Sequence, residues 1–302
     1  MYLKDGLLVL DKPPQMTSYD VIRRVKKLVQ PKKVGHTGTL DPLATGLLIL
    51  CLNRATLLSN YLMAGEKEYL AAMRLGLTTD TQDITGRVIR ECPVSALDPA
   101  QVDDIFRAHV GAIQQTPPAY SAVKLQGRPV YKMARRGIEV ILPARTVNIH
   151  ELEILEISGP EIKFRVRCGS GTYVRTLASD IGDKLGPGGC LTELRRTETA
   201  GFRLDQALTL PELEQVVARD ELDSVIVAMN QTLPGLPAFD VDSSTAGKII
   251  QGRTPDWEKF QHPVRFGDQI KVTCNDQLIA MFEAERGEGD GISFRCLRVI
   301  GA

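Results

Sequence analysis

The sequence has no excess of either charge. Its 302 residues carry 37 basic and 37 acidic side chains, so a nucleic-acid partner would have to be met by a local basic surface rather than by a net field. No internal repeat or low-complexity tract is visible. There is no C-x-x-C and no His/Cys cluster. The six cysteines (Cys51, Cys92, Cys168, Cys190, Cys274 and Cys296) are scattered, which argues against structural zinc and an extracellular disulfide framework and for reduced thiols. No apolar run approaches the ~20 residues that a membrane span needs. The opening Met1–Pro14 shows no signal-peptide cleavage pattern. A cytoplasmic protein with no membrane partner is expected. With neither a nucleotide fingerprint nor a metal-ligand cluster, no cofactor and no metal are expected.

What is present is ordinary globular composition, 43% hydrophobic and 25% charged, at a length that suits one large core plus an appended module. Gly6–Leu10 reads as a short strand stopped by Lys12-Pro13-Pro14. Thr17-Ser18-Tyr19-Asp20 has the form of a helix N-cap, and Val21, Ile22, Val25, Leu28 and Val29 follow at the spacing of one helical face. Between Arg23 and Lys33, six of eleven residues are basic and none is acidic. Either this is a solvated helix face or it is a phosphate-binding strip, and the absence of interleaved acids favours the second. Val34–Gly46 reads as a polar, glycine-punctuated loop feeding the apolar run Leu47–Leu52, a buried strand.

Further strands are expected at Glu68–Leu75 and Val88–Glu91, and a helix at Asp98–Val110. Residues 120–136 carry five basic groups and two tyrosines. Ile162, Phe164, Val166 and Cys168 alternate with Lys163, Arg165 and Arg167, a half-buried strand with one cationic face. A helix is expected from about Thr172, with Val174, Ala178, Ile181 and Leu185 as its stripe and Gly186 at its end. Leu233–Pro237 reads as a linker dividing residues 1–235 from 236–302. The second segment has a short helix signal at Ser243–Gln251 and alternating runs at 269–274, 277–284 and 292–300.

Asp41 stands out because it lies in a loop immediately before Pro42, which biases its backbone towards extended geometry, among glycines that let a ligand approach. Taken alone, it is either a capping residue of a turn or a reactive carboxylate held by a rigid scaffold.

The run Gly35-His-Thr-Gly-Thr-Leu-Asp-Pro-Leu-Ala-Thr-Gly-Leu-Leu closely resembles the catalytic motif of the bacterial B-type tRNA pseudouridine synthases. Leu10-Asp-Lys-Pro, Lys67-Glu-Tyr-Leu, Pro117-Pro-Ala-Tyr-Ser-Ala-Val-Lys, Gly171-Thr-Tyr-Val-Arg and Leu194-Arg-Arg resemble five further blocks of that family, in order. Six ordered blocks over residues 1–200 are a specific signal; the likeness of residues 236–302 to a PUA domain is weaker.

The resemblance implies an α+β fold: a mixed, largely antiparallel sheet flanked by helices, plus a small β-rich PUA-like domain. It implies isomerisation of the uridine at position 55 in the TΨC loop of tRNA, by glycosidic cleavage, base rotation and C5–C1′ bond formation on a flipped nucleotide. Asp41 would attack C1′ or remove the C2′ proton. Arg175 would pair with Asp41, Tyr69 would stack on the base and help remove the C5 proton, Tyr173 would pack beneath it, and Leu194 would supply an apolar wall. His36 would fill the space of the flipped base, and Lys12 would support the pocket. Lys26, Lys27, Lys32 and Lys33, with Lys124, Arg128, Lys132, Arg135 and Arg136, would meet RNA phosphates. The partner would be the TΨC stem-loop of tRNA, bound by a monomer.

Three rivals remain. A noncatalytic RNA-binding or RNA-folding protein on this scaffold would be expected to lack Asp41, Tyr69 or Arg175, and all three are present. A nucleoside hydrolase or glycosidase using Asp41 generally needs a second carboxylate or a metal beside the first, and the nearest acids, Asp80 and Asp83, come without a motif. A relative guided by RNA within a complex fits the modest length poorly.

Overall fold

The computed structural model describes residues 4–121, 124–125, 128–130, 133, 142–287 and 291–301. Its backbone is a ten-stranded sheet that turns one face to helices, followed by a four-stranded sheet. The strands that matter for the site are β1 (Gly6–Lys12), β2 (Val34–His36), β3 (Thr45–Leu52), β4 (Lys67–Leu75), β5 (Gly111–Gln115), β6 (Arg145–Ser158), β7 (Glu161–Cys168) and β8 (Gly189–Thr199). From β1 the order runs β1-β3-β8-β4-β7-β6-β5. All pairs are antiparallel except β3 with β8. Val227–Ala228 closes the β1 edge and β2 folds onto β3.

The continuous apolar runs have a two-sided cause. Because side chains alternate across a strand, Leu8, Leu10, Leu48, Leu50 and Leu52 face the helices, while Leu7, Val9, Leu47, Ile49 and Cys51 face the opposite way. Both sets are buried. The helix side is covered by α1 (Ser18–Val29), α2 (Pro99–Ala108), α3 (Val174–Leu185) and α4 (Leu210–Ala218). α1 starts at the expected Thr17 capping box with Asp20, and α3 ends at Gly186 at φ +110°. Val34–His36, expected as loop, is a strand: three residues are too few to show a period, and their pairing with Leu50–Leu52 decides the matter.

The opposite face is covered partly by the C-terminal sheet, made of β9 (Ala238–Asp240), β10 (Gln269–Cys274), β11 (Gln277–Arg286) and β12 (Ile292–Val299). Leu278, Met281 and Ile300 pack into the same cluster as Leu47 and Ile49. Buried Lys271 donates to the carbonyls of Asn230 (3.1 Å) and Thr232 (3.2 Å). Desolvation lowers its pKa.

The cationic face expected on β7 is not free. Cross-strand register sets Glu153 against Arg165 and Glu68 against Arg167. Arg165 lies 2.7 Å from Glu153 and 3.3 Å from Glu68. Arg167 lies 3.4 Å from Glu68 and 3.5 Å from Glu198, and Lys163 lies 2.7 Å from Glu156. The alternation was visible in β7, but the neutralising acids come from three other strands.

One glycine is indispensable to the sheet. Gly46 has φ +97°, and a Cβ there would lie 2.3 Å from the Arg196 carbonyl oxygen, where β3 and β8 run in parallel. Gly46→Ala is expected to cost about 2–5 kcal/mol through strain and forced strand separation, read as a lower urea midpoint. Gly247→Ala, in the helix Ser243–Ile250, where a Cβ meets nothing within 4 Å, is expected to stabilise by up to about 1 kcal/mol. Equal midpoints for both variants would remove the close-packing argument.

Candidate active site

The segment 37–44 leaves β2 and is pinned from three sides before it returns as β3. Thr37 N donates to Ile49 O at 3.1 Å, and Gln15 N donates to Pro42 O at 2.8 Å. Buried Ser18, in the first turn of α1, brackets Leu40: its Oγ accepts from Leu40 N at 2.8 Å and donates to Leu40 O at 3.2 Å. Ala44 N donates to Asp41 O at 3.1 Å, so Asp41 opens a tight turn and also presents its carboxylate.

That carboxylate is about a third exposed and lies 2.9 Å from Arg175 Nε. The Nε–H is off the line of a hydrogen bond, so the attraction is ionic. Arg175 is itself sealed in α3. Its Nη1 donates to Thr81 O at 3.0 Å and lies 3.5 Å from Asp83 Oδ2, and its Nη2 donates to Tyr120 O at 3.0 Å. The other oxygen of Asp83 accepts from Thr81 Oγ1 (2.9 Å), Thr85 N (3.0 Å) and Thr85 Oγ1 (2.5 Å). Arg175 therefore lies between two carboxylates, one open to the cavity and one fully hydrogen-bonded. Burial pushes the Asp41 carboxyl up, Arg175 pulls it down, Asp83 pushes it up and Lys12 pulls it down; the net direction is up.

A cavity of about 610 Å³ opens above Asp41, within the range of small-molecule sites. Tyr69, Tyr173, Arg175 and Leu194 line it with Asp41, so five expected residues converge from the loop, β4, α3 and its N-cap, and β8. Tyr69 is buried on β4, which raises its phenol pKa against the pull of Arg196. Tyr173 precedes α3 and is clamped by Gln115, whose Oε1 accepts from Tyr173 N at 2.8 Å and whose Nε2 donates to Tyr173 O at 3.1 Å.

Lys12 and His36 stand apart from the cavity wall. Lys12 is fully buried. Its Nζ donates to the carbonyls of Pro13 (2.9 Å) and Met16 (2.6 Å), holding the turn that Gln15 ties to Pro42. Desolvation lowers its pKa to about 8 against the pull of Asp41. It supports the loop from below and offers the cavity no surface. His36 accepts from Gly38 N at 3.3 Å, and burial with Arg196 nearby lowers its pKa, which favours a neutral imidazole.

Three charged groups that line this cavity have no role assigned from sequence: Lys67 and Arg196, which stand in two of the family blocks, and Arg145, which stands in none. Arg196 is almost wholly enclosed, with Nε donating to Leu47 O at 2.7 Å and Nη2 to Gly38 O at 3.2 Å. It ties β3, β8 and the Asp41 loop together. Lys67 donates to Met63 O at 2.6 Å. Asp83 had been set aside for want of a motif, and no local signal marks it. Gln115 is equally silent in sequence.

Of the basic residues, Lys26, Lys27, Lys32 and Lys33 are exposed on and just after α1. The strip contains no acid, yet folding brings Asp20 to Arg23 and Glu214 to Arg24. Lys124 and Arg128 lie on a two-stranded hairpin. Lys132, Arg135 and Arg136 lie outside the described residues.

The large mixed sheet followed by a small β-rich sheet is the fold of the pseudouridine synthases. A chain in the crystal structure of a Cbf5–Nop10–Gar1 complex superposes with a TM-score of 0.75 at 26% identity, covering 98% of this chain and 84% of that one. The profile described as TruB family pseudouridylate synthase (N terminal domain) matches residues 26–174, and that described as tRNA pseudouridylate synthase B C-terminal domain matches 175–234. A tRNA pseudouridine synthase B of Syntrophus aciditrophicus is 40% identical over 284 residues, 92% of this chain and 90% of the relative. One of Aromatoleum aromaticum is 45% identical over 249 residues, 82% and 80% of the two chains. The chain belongs to the TruB family of pseudouridylate synthases.

The charges around Asp41 make opposite predictions for two variants. Removing the Asp83 charge with Asp83→Asn should lower the Asp41 pKa, because a neighbouring anion disfavours ionisation. Removing the Lys12 charge with Lys12→Met should raise it. Both directions are read from the carboxyl ¹³C shift of Asp41 during titration. Shifts of the same sign in both variants would contradict this electrostatic picture.

Proposed function

We propose that this protein isomerises the uridine at position 55 of the TΨC loop of tRNA to pseudouridine. The observation that carries the reading is the Asp41 carboxylate, held 2.9 Å from buried Arg175 in the wall of a nucleotide-sized cavity that Tyr69 also lines. A uridine inside a stacked stem-loop cannot reach such a cavity, so it must be flipped out. Asp41 then acts on the ribose, either as nucleophile at C1′ or as base towards the C2′ proton. Both routes need the ionised carboxylate, and Arg175 favours that form. Once the glycosidic bond is cut, the freed uracil turns against Tyr69, with Tyr173 beneath and Leu194 as the apolar wall. Joining C5 to C1′ breaks the C1′–Asp41 bond on the first route, or returns the proton to C2′ on the second; C5 then loses a proton and N1 gains one. Tyr69, whose phenol is kept protonated by burial, helps by accepting the C5 proton on its oxygen as it passes its own proton on towards N1. Nothing in this sequence of steps calls for a metal or a redox cofactor.

His36 fills the space that the flipped uridine vacates and stabilises the opened RNA loop, and Lys12 holds the floor of the catalytic loop. Lys26, Lys27, Lys32 and Lys33 meet phosphates of the arm, as do Lys124, Arg128, Lys132, Arg135 and Arg136. Residues 236–302 form a PUA-like module that extends the RNA footprint, and the protein works as a cytoplasmic monomer. The neutral net charge supports a patchwise contact, since diffuse binding grows with total cationic charge.

Asp41→Asn is expected to abolish pseudouridine formation while changing the Kd for tRNA by less than about threefold. Residual turnover within tenfold of wild type, only ~1.4 kcal/mol of barrier, would refute the role of Asp41. Tyr69→Phe keeps the ring and loses the phenol; it should bind tRNA normally and fail to release rearranged product. Neutralising Lys26 and Lys27 together should flatten the salt dependence of binding by roughly 0.7–0.9 slope units per lost contact, with little dependence on RNA-loop sequence. An unchanged slope would mark α1 as a solvated face.

A further inference from the structure

Most of the arginines near the catalytic cleft are already answered by carboxylates or enclosed. Arg165 and Arg167 lie among glutamates, Arg175 lies between Asp41 and Asp83, and Arg195 is 2.6 Å from Asp11. Arg196 is sealed and donates to backbone carbonyls. Arg145 is different. It lines the cavity and is only partly buried, and no carboxylate lies within 4.0 Å of it among the described residues.

Arg145 is nonetheless held in place. Its guanidinium lies over the Tyr173 ring, with Cζ 5.1 Å from the centroid, and Nη2 donates to Gly171 O. The turn accommodates this: Gly171 has φ +87°, and a Cβ there would come within 3.4 Å of Nη2. Two contacts therefore fix the plane of the fork, while Nε finds no acceptor and Nη1 has none among the described residues. A cation with a fixed plane and unused donors, at the wall of a site for a polyanion, has the geometry of an anion receptor. Nε is itself out of reach of solvent, so Nη1, which is not buried, is the donor left for a ligand oxygen.

We propose that Arg145 anchors a phosphodiester flanking the extruded uridine, and that Tyr173 and the Gly171 carbonyl orient it for that contact. This deepens the RNA-modifying reading above and rests on it. Arg145 opens β6 and docks on the short segment 171–175 that carries Tyr173 and Arg175. Gripping the backbone there sets the depth to which the ribose enters relative to Asp41. The contact reads no base, so it acts equally on any sequence around the target.

The test uses the full chain and an unmodified TΨC stem-loop carrying one uncharged methylphosphonate linkage, placed 5′ or 3′ of the target uridine. For wild type, one of the two placements should weaken binding about tenfold, the loss of a charge-assisted contact. Arg145→Gln should bind the all-phosphate RNA about tenfold more weakly, with a salt slope smaller by roughly 0.7. It should show no further loss with the sensitive methylphosphonate RNA. No penalty at either linkage in wild type would overturn the proposal, whether or not the variant folds. So would a variant with slower saturated turnover but unchanged Kd and salt slope, which would make Arg145 a prop for Tyr173. Failure of wild type to bind or modify the all-phosphate RNA would instead remove the underlying RNA-modifying reading.

Discussion

The site depends on one guanidinium. Arg175 occupies a space from which water is nearly absent, and an unpaired cation there would be costly. Its compensation is divided between two backbone carbonyls, of Thr81 and Tyr120, and two carboxylates. The division is unequal in a useful way. Asp83 is buried and hydrogen-bonded by Thr81 and Thr85, so it fixes Arg175 from behind. Asp41 has only the ionic contact and a third of its side chain open, so it is oriented and still available. A carboxylate with the hydrogen bonds of Asp83 would be too well satisfied to react; one with no neighbour would have no fixed direction.

The packing around this pair serves the same end. Arg196, the largest fully buried side chain, joins the carbonyls of Gly38 and Leu47 across the parallel β3–β8 contact that Gly46 permits. Ser18 ties the loop to the start of α1, and Lys12 ties the turn before it. The loop is thus a rigid element despite its irregular backbone, as preorganised catalysis requires. The outer face of β6 and β7 is, by contrast, a lattice of matched charges. Its screened pairs add little to stability, and they leave the uncompensated cations at the cavity and on α1.

Much of this could be read from the chain because its local signals are strong. β3 is an apolar run buried on both faces, β4 alternates a buried with a more open face, α1 begins at a capping box and α3 ends at Gly186. β6 was not legible: its register shifts between Ile149 and Glu151 and again between Ile154 and Glu156, so the period of two is broken twice. The loop carboxylate was visible through its Pro and Gly neighbours and through the family motif. Asp83, Gln115 and Arg145 were not. Each acts on a partner at least 28 residues away in sequence (Arg175, Tyr173 and Tyr173 respectively), and such pairings exist only once the sheet has formed. The same distance explains why the alternation of β7 reads as a cationic face, although glutamates of β4, β6 and β8 neutralise it.

The central claim is that this Asp–Arg constellation isomerises one uridine in a folded RNA. The most direct measurement is to incubate the full chain with an unmodified tRNA transcript and map every pseudouridine formed along it. The account predicts product at the TΨC-loop uridine at position 55 and at no other position. No product, or product elsewhere with that uridine untouched, would contradict it.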